Sequence, residues 1–416
     1  MRACWRGCDE IVAAFRSPVL MRGKPRVLIA GGGIGGLTAA LALLRRGIDV
    51  DVYEQAAELK EVGAGVQLSA NGTRVLHLLD VAEALRALSC EAVGKEVRLW
   101  STGETWKLFD LGAESIARYG FPYFTVYRPD LLTVLSEAVR REKRDAIHLG
   151  MKVTGFTQAS RVTLQFEGHE VQGDALIGAD GVHSRIRQAL FGADKPAFTG
   201  NIAWRGIAPM EKLPARMARL VGTNWIGPGG HIVHYPLRGG TLMNFVGVRE
   251  RSDWQTESWS SRGSTEEVLA DFRGWNEDIQ ALIRNLATPY KWALMVREPM
   301  PRWSVGRVTL LGDACHSMLP MLAQGAVMAI EDGYILARCL GEGGAVPAAL
   351  LRYEEARRER TRKVVEGSAA NARRFHNPKL ADPAEAKKYV DREWEPGRIA
   401  ERYEWLFRYD VTQVTV

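Results

Sequence analysis

Residues Gly31-Gly32-Gly33-Ile34-Gly35-Gly36 constrain this chain more than any other stretch. They satisfy G-x-G-x-x-G, and their neighbours supply the context that such a turn needs. Residues 25–30 (PRVLIA) are a short apolar run between Pro and Gly, which reads as a buried parallel strand. Leu37, Leu41 and Leu44 then recur at helical spacing, and Gly47 ends that helix. Residues 49–54 (DVDVYE) read as the next strand, which completes a βαβ unit. In such a unit Gly31 permits the tight turn, Gly33 lets backbone approach a pyrophosphate, and Gly36 lets helix and strand pack closely. The helix start at Ile34 and Gly35 offers unpaired N–H groups to phosphate oxygens. Glu54, at the end of the second strand, is placed to accept bonds from a ribose diol. Both FAD and NAD(P) use this turn, so the pattern alone leaves the dinucleotide open.

A chain of 416 residues is long for one domain, and two closely joined domains are the natural expectation. With 46% hydrophobic residues it can bury a sizeable core. The net charge is +6, from 55 basic and 49 acidic residues, and both signs are mixed along the chain. Residues 354–363, including Arg357-Arg358-Glu359-Arg360, therefore read as a solvated helix face. Twelve Trp show no link to a basic strip, which argues against a nucleic-acid partner. The balance is mildly basic, suited to drawing in an anionic substrate. No apolar run reaches the about 18 residues that a membrane span requires. Five scattered cysteines (Cys4, Cys8, Cys90, Cys315 and Cys339) form no paired framework and point to a reducing cytoplasm. Residues 1–20 lack the apolar stretch of a signal peptide and read as a disordered extension, with Met21 just before the first strand.

The middle of the chain changes character. Residues 97–100 and 105–109 flank a Thr102-Gly103-Glu104 turn, and 162–166 and 170–175 form another hairpin pattern. Residues 201–208, 231–237 and 241–249 are β-rich, with Arg238-Gly239-Gly240 as a tight turn. An antiparallel layer is thus inserted into the nucleotide-binding domain. Residues 307–311 return to a buried strand, a helix follows over about 326–340, and the tail is mostly helical.

Two further motifs follow apolar strands. One is Gly178-Ala179-Asp180-Gly181, leading into Val182-His183-Ser184-Arg185. The other is Gly312-Asp313-Ala314-Cys315-His316, followed by Leu319-Pro320 and Gln324-Gly325-Ala326. Asp313 stands at a strand's carboxyl end, where ligands bind in open α/β sheets, and suits a ribityl hydroxyl. Cys315 and His316 adjoin in sequence, which does not make a nucleophile and its base. No His or Cys cluster has zinc spacing, so no metal is expected.

With these three motifs in order, the sequence resembles the group A flavoprotein monooxygenases, aromatic hydroxylases built like 4-hydroxybenzoate hydroxylase. The resemblance runs from residue 21 to about 340. It implies an α/β fold: a Rossmann-like FAD-binding domain, an inserted antiparallel-sheet substrate domain and a helical C-terminal tail. The FAD-binding domain would comprise 21–95, 125–198 and 296–345. The substrate-binding β domain would comprise 96–124 and 199–295, and the helical region 346–416. It implies tightly bound FAD, NADH or NADPH as reductant, and O₂ as co-substrate. The oxygen would pass through a flavin C4a-hydroperoxide to the ring of a small aromatic acid. It places Asp180 and Gly181 by FAD and the nicotinamide donor, and Asp313 by the FAD ribose region. Arg128 falls near the FAD phosphates, Gly65 and Val66 beside the isoalloxazine, and Gly325 and Ala326 at its pyrimidine edge. A monomer or homodimer is expected.

The strand 230–236 carries His231 and Tyr235 on one face by period two, with His234 on the other. Within the resemblance the segment is most similar to the branch of 3-hydroxybenzoate 6-hydroxylase, salicylate hydroxylase and 6-hydroxynicotinate 3-monooxygenase. There the matching His and Tyr line the substrate pocket, and ring activation would fall on His231 and Tyr235. The chain also departs from these relatives. Met321 stands where salicylate and 6-hydroxynicotinate enzymes carry His, and Gln67 stands where the latter carry His. Pro320 replaces a Gln of the 3-hydroxybenzoate enzyme. Gln67, Pro320 and Met321 are accordingly candidate substrate contacts, as is Arg205, whose guanidinium suits a carboxylate. Two other classes stay open on sequence alone: an NAD(P)-dependent dehydrogenase without flavin, and a non-catalytic FAD-binding redox protein.

Overall fold

The computed structural model describes residues 24–59, 64–253 and 261–416; the expected extension at 1–20, with Met21, Cys4, Cys8 and Gly63, lies outside the described residues. Five parallel strands form the first layer, in the order Val308–Leu310, Ala175–Gly178, Arg26–Ala30, Asp49–Tyr53, Ile147–His148. Arg26–Ala30 is paired on both sides, and Val27, Leu28, Ile29 and Ala30 are fully buried. That is why the run is continuously apolar: each face of a parallel strand meets a covering layer. The Ile34–Leu44 helix covers one face and packs on the Gly325–Gly341 helix. A Cβ at Gly333 would lie 2.7 Å from the Ala39 nitrogen, so the two helices meet almost backbone to backbone.

A seven-stranded sheet forms the second layer. Its order is Tyr290–Val296, Ala197–Pro209, Leu242–Glu250, Gly230–Leu237, Val221–Gly227, Gly94–Leu99, Thr105–Asp110. It is antiparallel except at one joint: Val221–Gly227 runs parallel to Gly94–Leu99. The antiparallel layer expected from sequence is present, and its one parallel joint arises because the Gly94–Leu99 hairpin comes from a distant part of the chain and docks on the edge without a local turn to reverse it. One face packs on the short helices Thr265–Asp271 and Glu277–Arg284 through Trp204, Trp225, Phe245, Phe272 and Ile279. The other face looks toward the parallel layer.

The tail is helical, led by a 30-residue helix, Val346–Phe375. Here the expectation of a solvated face over 354–363 fails. Arg357 is fully buried, with Nε 2.7 Å from Asp332 Oδ1 and Nη1 2.8 Å from Glu331 Oε2. Arg360 meets Glu331 at 2.7 Å, and Glu354 accepts the Trp303 and Ser304 amides at 2.8 and 2.7 Å. Residues 354, 357 and 360 form one inward stripe at i, i+3 spacing, in which the two arginines meet two acids that sit inside an apolar helix. Arg358, Glu359 and Arg362 do face outward. Burial works to raise Asp332's pKa, but His316 and Arg357 hold it below the carboxylate range. Among the described residues no helix is long and apolar enough to cross a membrane.

Candidate active site

A cavity of about 880 Å³ runs between the two layers. It begins where four parallel strands end, because the residues just past those strands (Gly31, Glu54, Ala179 and Leu311) all line it. Three sequence motifs far apart along the chain therefore converge on one sheet edge, the place where open α/β sheets bind ligands.

The glycine turn shows its three roles separately. Gly31 has φ +109°, and a Cβ there would stand 2.3 Å from the Ala179 carbonyl oxygen. A Cβ at Gly36 would stand 2.0 Å from the Gly31 carbonyl oxygen, so any side chain forces helix from strand. Gly33 has nothing within 4 Å of its missing Cβ; its space belongs to the cavity. No side chain caps the helix that starts at Ile34, and none caps the helix that starts at Gly325. Both starts face the cavity. Two helix N-termini without protein caps leave room for electron-rich ligand atoms.

Glu54 accepts the Gly32 amide at 2.7 Å and the Ala56 amide at 2.8 Å, which fixes its carboxylate at the cavity wall. A carboxylate has about four acceptor sites, so capacity for a diol remains. Asp180 accepts Ser184 Oγ at 2.5 Å and the Arg185 amide at 2.7 Å, and burial outweighs these bonds and raises its pKa. Asp313 opens the Asp313–His316 turn at the end of the Val308–Leu310 strand. Arg128 starts the Arg128–Glu142 helix, tied to the neighbouring loop by its amide bond to the Ala64 carbonyl at 3.0 Å. The start of the Gly325–Gly341 helix is held by a buried polar set: Gln324 Nε2 donates to Ser69 Oγ at 2.9 Å, and Asn71 Nδ2 donates to Glu331 at 2.7 Å. These residues fit a flavin dinucleotide: a cradle empty of Cβ atoms, uncapped helix starts for phosphates and ring edge, and carboxylates for hydroxyls.

The far end of the cavity lies under the seven-stranded sheet. His231, Val233 and Tyr235 line it from one strand, as period two requires, while His234 turns away and accepts Trp225 Nε1–H at 3.0 Å. Tyr235 lies against Gly65, where a Cβ would stand 2.6 Å from Tyr235 Cε2, and the Gly65 amide donates to Asn244 Oδ1 at 2.7 Å. Burial pushes the Tyr235 phenol up, so it remains protonated at neutral pH. His231 is 2% exposed; burial first, then His376, lowers its pKa well below the usual value. Its Nδ1 lies 2.7 Å from Nε2 of His376, and His376 Nδ1 lies 3.1 Å from Glu250 Oε1.

Gln67 also lines the cavity. Its Oε1 accepts from Tyr123 OH at 2.9 Å and from Lys95 Nζ at 3.3 Å. Ammonium has only donors, so the amide oxygen must face Lys95 and the NH₂ must face elsewhere. Burial alone lowers the Lys95 pKa to about 8.

The structure brings to one cavity Gly31, Gly33, Ile34, Gly35, Glu54, Gly65, Val66, Gln67, Arg128, Asp180, Gly181, His231, Tyr235, Asp313, Pro320, Gly325 and Ala326. Three expected residues lie off its wall. Gly36 is buried in the helix–strand contact. Met321 turns inward from the Pro320–Leu322 turn, and its carbonyl accepts Asn371 Nδ2 at 3.3 Å, while Pro320 keeps the cavity side. Arg205 shares the cavity-side face of the sheet, but its guanidinium lies over the rings of Trp292 (5.1 Å) and Tyr290 (5.7 Å), and it is Trp292 that lines the void. Sequence reasoning missed Lys95, His376 and Glu250. Cys315 is buried with its thiol pKa pushed up, and His316 pairs with Asp332 at 2.5 Å, which leaves no nucleophile–base pair there.

A family model described as FAD binding domain matches residues 24–368. A 3-amino-4-hydroxybenzoate 2-monooxygenase of Streptomyces platensis is 38% identical over 397 residues, covering 94% of this chain and 98% of that one. A 3-hydroxybenzoate 6-hydroxylase of Polaromonas naphthalenivorans is 36% identical over 402 residues, covering 92% and 96%. Among solved structures, HpxO of Klebsiella pneumoniae, complexed with FAD and uric acid, superposes with a TM-score of 0.79 at 27% identity, covering 93% of this chain and 98% of that one.

Proposed function

The chain belongs to the FAD-binding domain family and is an FAD-dependent aromatic monooxygenase, and from that premise we propose that it hydroxylates a hydroxybenzoate-type acid at the His231 end of the cavity. Family membership sets aside the flavin-free dehydrogenase and the non-catalytic redox protein. Bound FAD, reduced by NAD(P)H, supplies activated oxygen for transfer to an electron-rich ring carbon. The chain's own residues must hold the ring, remove a phenol proton and exclude water.

The observation that carries this reading is the polarity of the cavity's far end. His231 contributes a neutral imidazole, which has a lone pair free to accept a phenol proton. Gln67 lines the same cavity, and its NH₂, directed away from Lys95, serves as a donor toward a carboxylate. Lys95 behind it supplies positive charge. Tyr235, still protonated, gives a hydrogen bond without competing as a base. Val233, Val246, Trp292, Leu294 and Met318 line the void with apolar surface, which protects a reactive oxygen species from water. A ring with an acid at one position and a hydroxyl at another matches this wall. The two relatives described above act, by their names, on such acids.

The test is a screen of the flavin-loaded protein with 3-amino-4-hydroxybenzoate, 3-hydroxybenzoate and 6-hydroxynicotinate. A substrate accelerates NAD(P)H oxidation and yields a hydroxylated product. His231→Ala should keep ligand-stimulated NAD(P)H oxidation but lower product per NAD(P)H. Unchanged coupling in that variant discards His231 as the base.

A further inference from the structure

His231 and His376 are 2% and 5% exposed, and they meet 145 positions apart in sequence. Buried imidazoles in contact need a defined set of protons, since each neutral ring has one donor and one acceptor. Glu250 sets them. A carboxylate only accepts, so His376 Nδ1–H donates to Glu250 Oε1 at 3.1 Å. His376 Nε2 is then the acceptor, and His231 Nδ1–H donates to it at 2.7 Å. His231 Nε2 is left with a lone pair, on a side chain that lines the cavity. The outer end of the series is wet, because the Glu250 side chain is 56% exposed.

We infer that Glu250, His376 and His231 form a proton relay that carries the substrate's phenolic proton from the cavity to solvent. The inference rests on the reading of His231 as the base and adds the route by which a proton reaches solvent, as each ring passes to its other neutral tautomer. Each step balances. The phenol O–H bond breaks as Nε2–H forms on His231. His231 Nδ1–H passes to His376 Nε2. His376 Nδ1–H passes to Glu250, which releases it to water. No oxidant or reductant is involved. Without an exit, a buried imidazolium beside a second imidazole would be costly, and the proton would return to the phenolate. The groups that act on His376 are Glu250 and Arg249 from the Leu242–Glu250 strand and His231 from the next strand; Arg249 is held by its own bond to the Pro228 carbonyl at 2.8 Å. His376 and Glu250 do not line the cavity. They are positioning residues that act through His231.

The experiment follows proton release with an indicator dye in weakly buffered stopped flow, as the flavin-loaded protein binds 3-hydroxybenzoate or 3-amino-4-hydroxybenzoate. The absorbance of the bound phenolate is read in parallel. His376→Asn should retain ligand affinity and flavin content but slow proton release by about tenfold or more, the lower range of acid–base effects. Glu250→Gln, on a side chain that is 56% exposed, should slow it less. Glu250→Asp, which keeps the carboxylate, should stay near the native rate. His231→Asn separates the two readings. If it abolishes phenolate formation while His376→Asn and Glu250→Gln release protons at the native rate, the relay is overturned and the base survives. If all three variants behave as the native protein, both readings fall.

Discussion

Lys95 Nζ donates to Gln67 Oε1 across 3.3 Å, and among the described residues no carboxylate forms an ion pair with that ammonium. A desolvated cation without a counter-ion stores an affinity for anions, and Gln67 transmits it to the cavity. Burial lowers the Lys95 pKa to about 8, so the charge is present below that pH and lost above it. An anionic ligand binds the protonated form, so affinity for 3-hydroxybenzoate should fall as pH rises through about 8. Lys95→Met should weaken binding at neutral pH by about five- to tenfold, the worth of one charge-assisted bond acting through an amide, and should flatten the pH dependence. Flavin absorbance titrations on either side of that pH check this. A native protein with flat affinity would remove Lys95 from the account.

Gly33 and Gly36 belong to one motif but should fail differently. Space around Gly33 is empty of protein atoms, so Gly33→Ala should leave the stability of the flavin-free chain nearly unchanged and abolish tight FAD binding. A Cβ at Gly36 meets a backbone oxygen that cannot move aside, so Gly36→Ala should destabilise the flavin-free chain by about 3 kcal/mol, the upper range of overpacking. Thermal melts of the flavin-free proteins, paired with flavin titrations, separate the two.

His234 should contribute to acid sensitivity. It accepts Trp225 Nε1–H, and burial, with help from Arg98 and Arg219, lowers its pKa to about 3. The unfolded chain binds a proton at the ordinary histidine pKa while the folded site does not. Its stabilisation is therefore complete above about pH 6.5 and drains away as pH falls toward 3. The slope from this residue is about 1.4 kcal/mol per pH unit within that window. His234→Gln, which keeps an acceptor for Trp225, should reduce the slope of unfolding free energy by about that amount. Urea melts between about pH 6.5 and 4.5 read it directly.

Arg357 is the centre of a buried charge cluster, and its removal leaves Glu331 and Asp332 with fewer partners. Arg357→Met should cost about 3 kcal/mol, the lower end for breaking a buried pair, because Arg360 still meets Glu331 and His316 still meets Asp332. Adding Asp332→Asn should recover part of the loss. Strict additivity of the two changes would show that the pair is not coupled.

What was readable in the sequence was local or periodic. The glycine turn, its flanking strands and Glu54 follow from contiguous residues, and the shared face of His231 and Tyr235 follows from the two-residue repeat of a strand. What was hidden depended on partners far along the chain. The charges at 354, 357 and 360 look like a solvated stripe until Glu331-Asp332 is placed beneath the two arginines and the Trp303 and Ser304 amides beside Glu354. Two adjacent acids inside an apolar helix were the available clue, since such acids require cations. His376 comes from the tail and Lys95 from an edge hairpin, and nothing near either announces its neighbour. Pro320 and Met321 are adjacent, yet a tight turn sends one to the cavity and the other away from it. The parallel joint at Val221–Gly227 escaped because hairpin reasoning sees only strands that are close in sequence.

The 30-residue tail helix spans about 45 Å and ends at Phe375, one residue before the imidazole that touches His231. Midway, Arg357 fastens it to the helix whose first turn, at Gly325, borders the void. A small tilt of that rod would alter an imidazole contact and the aim of two backbone amides together. Reactivity can thus be altered from an outer helix while the lining stays the same, and redesign of the walls alone would leave that control untouched.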